Sequence, residues 1–81
     1  MTRSAFGRRQ KWFRERLADI RRERGFTQVD LANRLRRPQS FVSKYERGER
    51  RLDVVEFLDV AHALGLDAAA LIAELERSAP A

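Results

Sequence analysis

Residues 27–48 read TQVDLANRLRRPQSFVSKYERG, and the fold turns on whether this stretch is one basic helix or two short ones set at an angle. Local chemistry divides it. The Thr27 hydroxyl can accept from the free amides of a first helical turn, and Asp30, three residues on, completes an approximate capping box. Leu31, Ala32 and Leu35 then share one face. Such a helix is only about nine residues long, marginal in isolation and dependent on tertiary packing. Arg36 and Arg37 form the connection. Pro38 opens the next helix, where its missing amide costs nothing, and Gly48 stops it. Helical spacing separates residues 39–47 into two faces. Phe41, Val42 and Tyr45 fall on one side and read as core. Ser40, Ser43, Lys44 and Arg47 fall on the other, with Gln39 at the edge.

The flanks read as further helices. A first is expected from about Arg9 to Arg24, with Phe13, Leu17 and Ile20 at i, i+4 and i+7. Trp12 lies off that stripe and suits a packing or dimer contact better than a stacking platform. Asp53 caps a fourth helix running through Leu64, with Val55, Leu58, Ala61 and Leu64 as its stripe and Gly65 as its stop. A fifth, from Asp67 to about Arg77, contributes Leu71, Ile72 and Leu75. No run of alternating β-branched and polar residues signals a strand. The expectation is an all-α, compact five-helix domain over residues 9–77, with the paired helices at 27–48. Residues 1–8 would be a basic N-terminal arm that could remain disordered, and 78–81 a frayed tail.

Composition narrows the chemistry. The chain has 81 residues, no cysteine and one histidine, so a disulfide or thiolate-metal framework is excluded and a histidine-based metal site is improbable. No apolar run approaches the roughly 20 residues that span a bilayer, and the N-terminus lacks the apolar stretch of a secretory signal. A cytoplasmic protein without membrane or cofactor is expected. Catalysis has no foothold: there is no phosphate-binding glycine loop and no nucleophile with a base in reach. The net charge of +5 conceals an asymmetry, since residues 1–51 carry +10 and residues 52–81 carry −5. A basic face of that strength suits a polyanion. The acids Glu56, Asp59, Glu74 and Glu76 read as a solvated or partner-facing surface, and His62 as a surface or boundary residue.

Two short helices, a three- to four-residue turn and a hydrogen-bonding face on the second make a helix-turn-helix pattern. Together with LADIRRERGFTQVDLA (17–32), SFVSKYERGERRL (40–52) and FLDVAHALGL (57–66), it resembles the phage-repressor and Cro-like, or XRE-like, helix-turn-helix family over roughly residues 14–75. The resemblance implies a lambda-repressor-like domain whose third helix lies in the DNA major groove. Carried onto matching positions, Gln39, Ser40 and Lys44 would read base edges. Their chemistry agrees, since Gln suits adenine and Lys suits guanine. Thr27, Gln28, Ser43, Arg47, Arg50, Arg51 and Arg37 would meet phosphates. Glu46, out of place on a DNA-binding helix, would pair structurally with Arg21. One departure stands out: Arg36 occupies a turn position where the family usually has glycine, because that position often has positive φ.

The function expected is a sequence-specific transcriptional regulator, a repressor by preference. It would bind a near-palindromic double-stranded DNA operator as a homodimer, with recognition helices roughly 34 Å apart. Helix five, with Trp12 and Phe13, is the candidate dimer interface. The alternative is an antitoxin or adaptor that binds a protein partner through its acidic half and represses its own promoter. A nonspecific nucleic-acid coat fits the Gln39, Ser40 and Lys44 face less well.

Overall fold

Two capping boxes frame the molecule, at Thr27 and at Asp53. Thr27 Oγ1 accepts from the Asp30 amide at 3.0 Å, and the Asp30 carboxylate accepts from the Thr27 amide at 2.9 Å. Asp53 and Glu56 repeat the exchange at 2.7 and 2.9 Å. Each box satisfies two amides that a helix start would otherwise leave without a partner. The structure, a computed structural model, describes residues 2–78, with side chains from Gly7 onward. It holds five helices in order: α1 (Thr2–Glu23), α2 (Gln28–Leu35), α3 (Gln39–Arg47), α4 (Val54–Leu64) and α5 (Ala68–Ser78). Apart from Ser78, the expected frayed tail lies outside the described residues.

α1 begins at Thr2, so residues 2–8 continue the helix expected to start near Arg9 and are not a separate arm. Nothing in this stretch opposes a helix except Gly7, and a mid-helix glycine costs only about 1 kcal/mol relative to alanine. Pro38 is the N-cap of α3, not its first residue, with φ −62° and ψ 152°. The turn before it contains the one positive-φ residue other than glycine among those described, Arg36, at φ 56° and ψ 44°. That left-handed geometry lets the Arg36 amide donate to Asn33 O at 3.2 Å and the Arg37 amide to Ala32 O at 3.0 Å. The carbonyl end of α2 is thereby satisfied at the cost of strain that glycine would avoid.

The core gathers Leu17 and Ile20 of α1, Leu31 and Ala32 of α2, and Phe41, Val42 and Tyr45 of α3 against the inner face of α4 and Leu71 of α5. Burial of each large apolar side chain is worth about 1.5–3 kcal/mol, and that sum holds helices too short to stand alone. α4 presents a different stripe from the expected one. Phe57, Val60, Ala61 and Leu64 are buried, whereas Val55 and Leu58 are 67% and 49% exposed. The segment VVEFLDVAHAL carries two overlapping helical stripes. Phe57, the bulkiest member, goes inward and meets Phe13 edge-to-face at 5.2 Å between ring centroids. In α5, Leu71 is buried and Ile72 turns outward. Trp12 and Phe13 both pack on the core.

One side chain ties the two ends of this arrangement. Arg24 Nη1 donates to the carbonyls of Leu64 at 2.7 Å and Gly65 at 2.8 Å. A cation thus sits at the C-terminus of α4, where the helix dipole favours it.

Candidate nucleic-acid interface

α3 is anchored by its inner residues and leaves its outer side free. Gln39, Ser40, Lys44 and Arg47 are exposed along one side, and Ser43 is half-buried between them. The Ser43 hydroxyl donates to Ser40 O at 3.4 Å. Arg47 makes a two-point contact with Glu49 at 2.9 and 3.2 Å, both side chains being more than half exposed. Lys44 and Arg51 meet no carboxylate among the described residues.

Behind this face runs a continuous polar chain. Arg21 Nε donates to Glu46 Oε2 at 2.7 Å and Nη2 to Oε1 at 3.2 Å, while Nη1 donates to Phe26 O at 2.7 Å. The two side chains are only 8% and 6% exposed. A buried ion pair persists only when the charges are paired and their remaining hydrogen bonds satisfied, which these contacts achieve. Gln28 Nε2 then donates to Glu46 Oε1 at 2.9 Å, and Gln39 Nε2 donates to Gln28 Oε1 at 3.3 Å. The first residue of α2 and the first residue of α3 are therefore linked to each other and, through Glu46, to α1. Tyr45, beside Glu46 in sequence, is held well above the usual phenol range by burial first, then by the Glu46 charge, with Arg21 opposing.

A second cluster closes the opposite end. The Arg37 and Arg50 guanidiniums lie 4.5 and 4.8 Å from the centroid of the Phe41 ring. Arg50 grips the Glu56 carboxylate with two hydrogen bonds of 2.9 and 2.5 Å, and Arg37 approaches it at 3.7 Å. The hydrogen bonds from Arg50 and from the Asp53 amide hold the Glu56 carboxyl down at about 2. The same pairing raises Arg50.

Glu56 thus departs from the sequence reading, which left it on a solvated or partner-facing surface. Its side chain is 11% exposed and ties together two arginines. The signal was present in the Asp-x-x-Glu spacing of a capping box, but its two arginine partners come from elsewhere in the fold. Glu74 likewise pairs, with Arg16 at 3.2 Å. Of the residues expected at phosphates, Arg51 is exposed, Gln28 is half-buried, and Arg50 and Arg37 are already engaged internally. No described helix is long and apolar enough to cross a membrane.

Comparison with known proteins agrees with this geometry. A family model described as a helix-turn-helix domain matches residues 12–75. Among solved structures, the chain is similar to an XRE-family like protein from Pseudomonas syringae pv. tomato str. DC3000. The two are 46% identical with a TM-score of 0.92, and the match covers 98% of this chain and 96% of the other. No match was found among curated proteins.

Proposed function

Because this chain belongs to the XRE-like helix-turn-helix family of DNA-binding transcriptional regulators, we propose that it is a repressor acting as a homodimer on a near-palindromic operator. α3 enters the major groove. Gln39 and Lys44 read base edges, Gln toward adenine and Lys toward guanine, and Ser40 accepts either. Thr27, Gln28, Ser43, Arg47 and Arg51 contact phosphates, and Arg50 and Arg37 do so while shared with Glu56.

The observation that carries this reading is the exposed row of Gln39, Ser40 and Lys44, with Gln39 oriented by Gln28. A residue whose amide is already directed needs little reorganisation to make a two-point contact with a base. The dimer reading is supported by apolar side chains left in solvent on the acidic half: Val54, Val55, Leu58 and Ile72 are 45–74% exposed. Exposed apolar area of this kind favours a partner surface.

Selection of bound sequences from a random double-stranded DNA library tests the whole reading. Enrichment of a palindrome with half-sites about one helical turn apart is expected. Absence of any enriched sequence would refute it.

A further inference from the structure

Between the N-terminal half of α1 and the segment following α3 lies a cavity of about 160 Å³ whose walls include Gln10, Arg14, Tyr45, Gly48, Arg50 and Arg51. One water occupies roughly 30 Å³ in the liquid, so the space admits something larger than a single solvent molecule. Its charge is one-sided. Three arginines line it and no carboxylate does. Arg50 is neutralised by Glu56, whereas Arg14 and Arg51 pair with no carboxylate among the described residues.

Tyr45 points to the same conclusion independently. Its side chain is 2% exposed, and its hydroxyl is the one buried side-chain polar atom among the described residues with no hydrogen-bond partner. Buried hydroxyls are normally satisfied, and one left alone calls for an absent acceptor or donor. Gly48 lets the Arg14 guanidinium pack close against the backbone: a Cβ built there would stand 2.7 Å from Arg14 Cζ. Any side chain at this position would displace the Arg14 guanidinium from the wall.

We propose that this cavity is a binding site for a small phosphate-class oxyanion, inorganic phosphate or the terminal group of a phosphomonoester. Arg14 and Arg51 grip the anion, and Tyr45 donates the hydrogen bond it otherwise lacks. Guanidinium forks match the oxygen spacing of phosphate and bind it in a two-point fashion. The Tyr45 hydroxyl is itself buried, so binding includes a shift of the lining side chains that brings the anion to it. Arg14 and Tyr45 are not among the residues assigned to DNA, and the proposed ligand is a free anion. The inference does not depend on which bases α3 reads.

The test uses the intact protein and inorganic phosphate, with chloride at equal ionic strength and pH as the reference. Thermal unfolding should show a saturable, phosphate-specific rise in midpoint for the wild type. Arg14→Gln should bind phosphate about tenfold more weakly, the loss of one charge-assisted hydrogen bond. Tyr45→Phe should be at least as stable as wild type in chloride, since it removes an unsatisfied hydroxyl, yet gain less from phosphate. Arg22→Gln, an exposed α1 residue outside the cavity lining and without a role at the DNA face, should keep the full increment. The proposal is overturned if the wild type shows no phosphate-specific rise, as it would were the cavity merely hydrated. It is also overturned if Arg14→Gln and Tyr45→Phe both retain the rise, or if Arg22→Gln loses as much as they do.

Discussion

Glu46 accepts a hydrogen bond from the Gln28 side-chain amide at 2.9 Å while holding Arg21 at 2.7 Å. An acid on the proposed recognition helix is thus the junction between α1, α2 and α3. It serves the fold by pairing and the polar face by orienting Gln28, and through Gln28 the Gln39 amide.

Glu46→Ala leaves Arg21 buried without its partner, and breaking a buried pair in this way costs about 3–5 kcal/mol. The variant should lose that much in denaturant unfolding. After correction for the folded fraction, its preferred operator should stay that of the wild type, with preference weakened only at the base pair that Gln39 reads. A variant of normal stability that selects a different site would mean Glu46 belongs to the reading face.

Arg36 holds a left-handed conformation that glycine adopts freely. Arg36→Gly should therefore stabilise the domain by on the order of 1 kcal/mol, a rise of roughly 5 °C in unfolding midpoint for a chain of this size. An unchanged or lower midpoint would show that the Arg36 side chain returns what its backbone loses.

Two substitutions separate base reading from phosphate attraction. Lys44→Ala should lower operator affinity by about 1–3 kcal/mol and relax preference at one or two base pairs. Arg51→Ala should weaken all sequences alike and reduce the salt slope by about 1. Binding titrations at several salt concentrations, on operator and random duplexes, distinguish them; identical profiles for the two variants would remove Lys44 from the base contacts.

The Glu56 carboxyl sits at about 2, against an ordinary 4.5. Its folded value lies below its unfolded one, so the Arg50 pairing contributes fully above about pH 4.5 and is lost as pH falls toward about 2. Glu56→Gln keeps an acceptor for the Asp53 amide but abolishes the charge. The stability gap between wild type and Glu56→Gln should be constant near neutrality and shrink through the acid range. A gap that does not vary with pH would assign the effect to packing.

Val55 and Leu58 face solvent in the single chain, so Val55→Glu or Leu58→Glu should leave the monomer's unfolding within about 0.5 kcal/mol of wild type. Either should dissociate the proposed dimer, which sedimentation would register directly. Unaltered self-association in both would move the interface elsewhere.

What could be read in the sequence was mostly what short-range chemistry determines. The Thr27 and Asp53 caps, the glycine stop of α3 and the inward set of Phe41, Val42 and Tyr45 each follow from residues within one or two turns. The stripe of α4 did not, because VVEFLDVAHAL is apolar on more than one side and only the docking of Phe57 on Phe13 selects a face. The start of α1 was hidden because arginine-rich sequence suits an arm and a helix equally. The Glu56 cluster and the Tyr45 cavity depend on side chains brought together from separate elements, which spacing does not encode.

Arg24 carries one more implication. It joins the end of α1 to the end of α4 across 40 residues of sequence, and the whole of α2 and α3 lies inside the loop it closes. A loop stapled at its base has few ways to rearrange. The backbone of α3 is therefore held in place before any partner arrives, and what association must still order is its exposed side chains, Lys44 among them. Affinity in such a molecule is set by the quality of its few contacts against the cost of fixing those side chains.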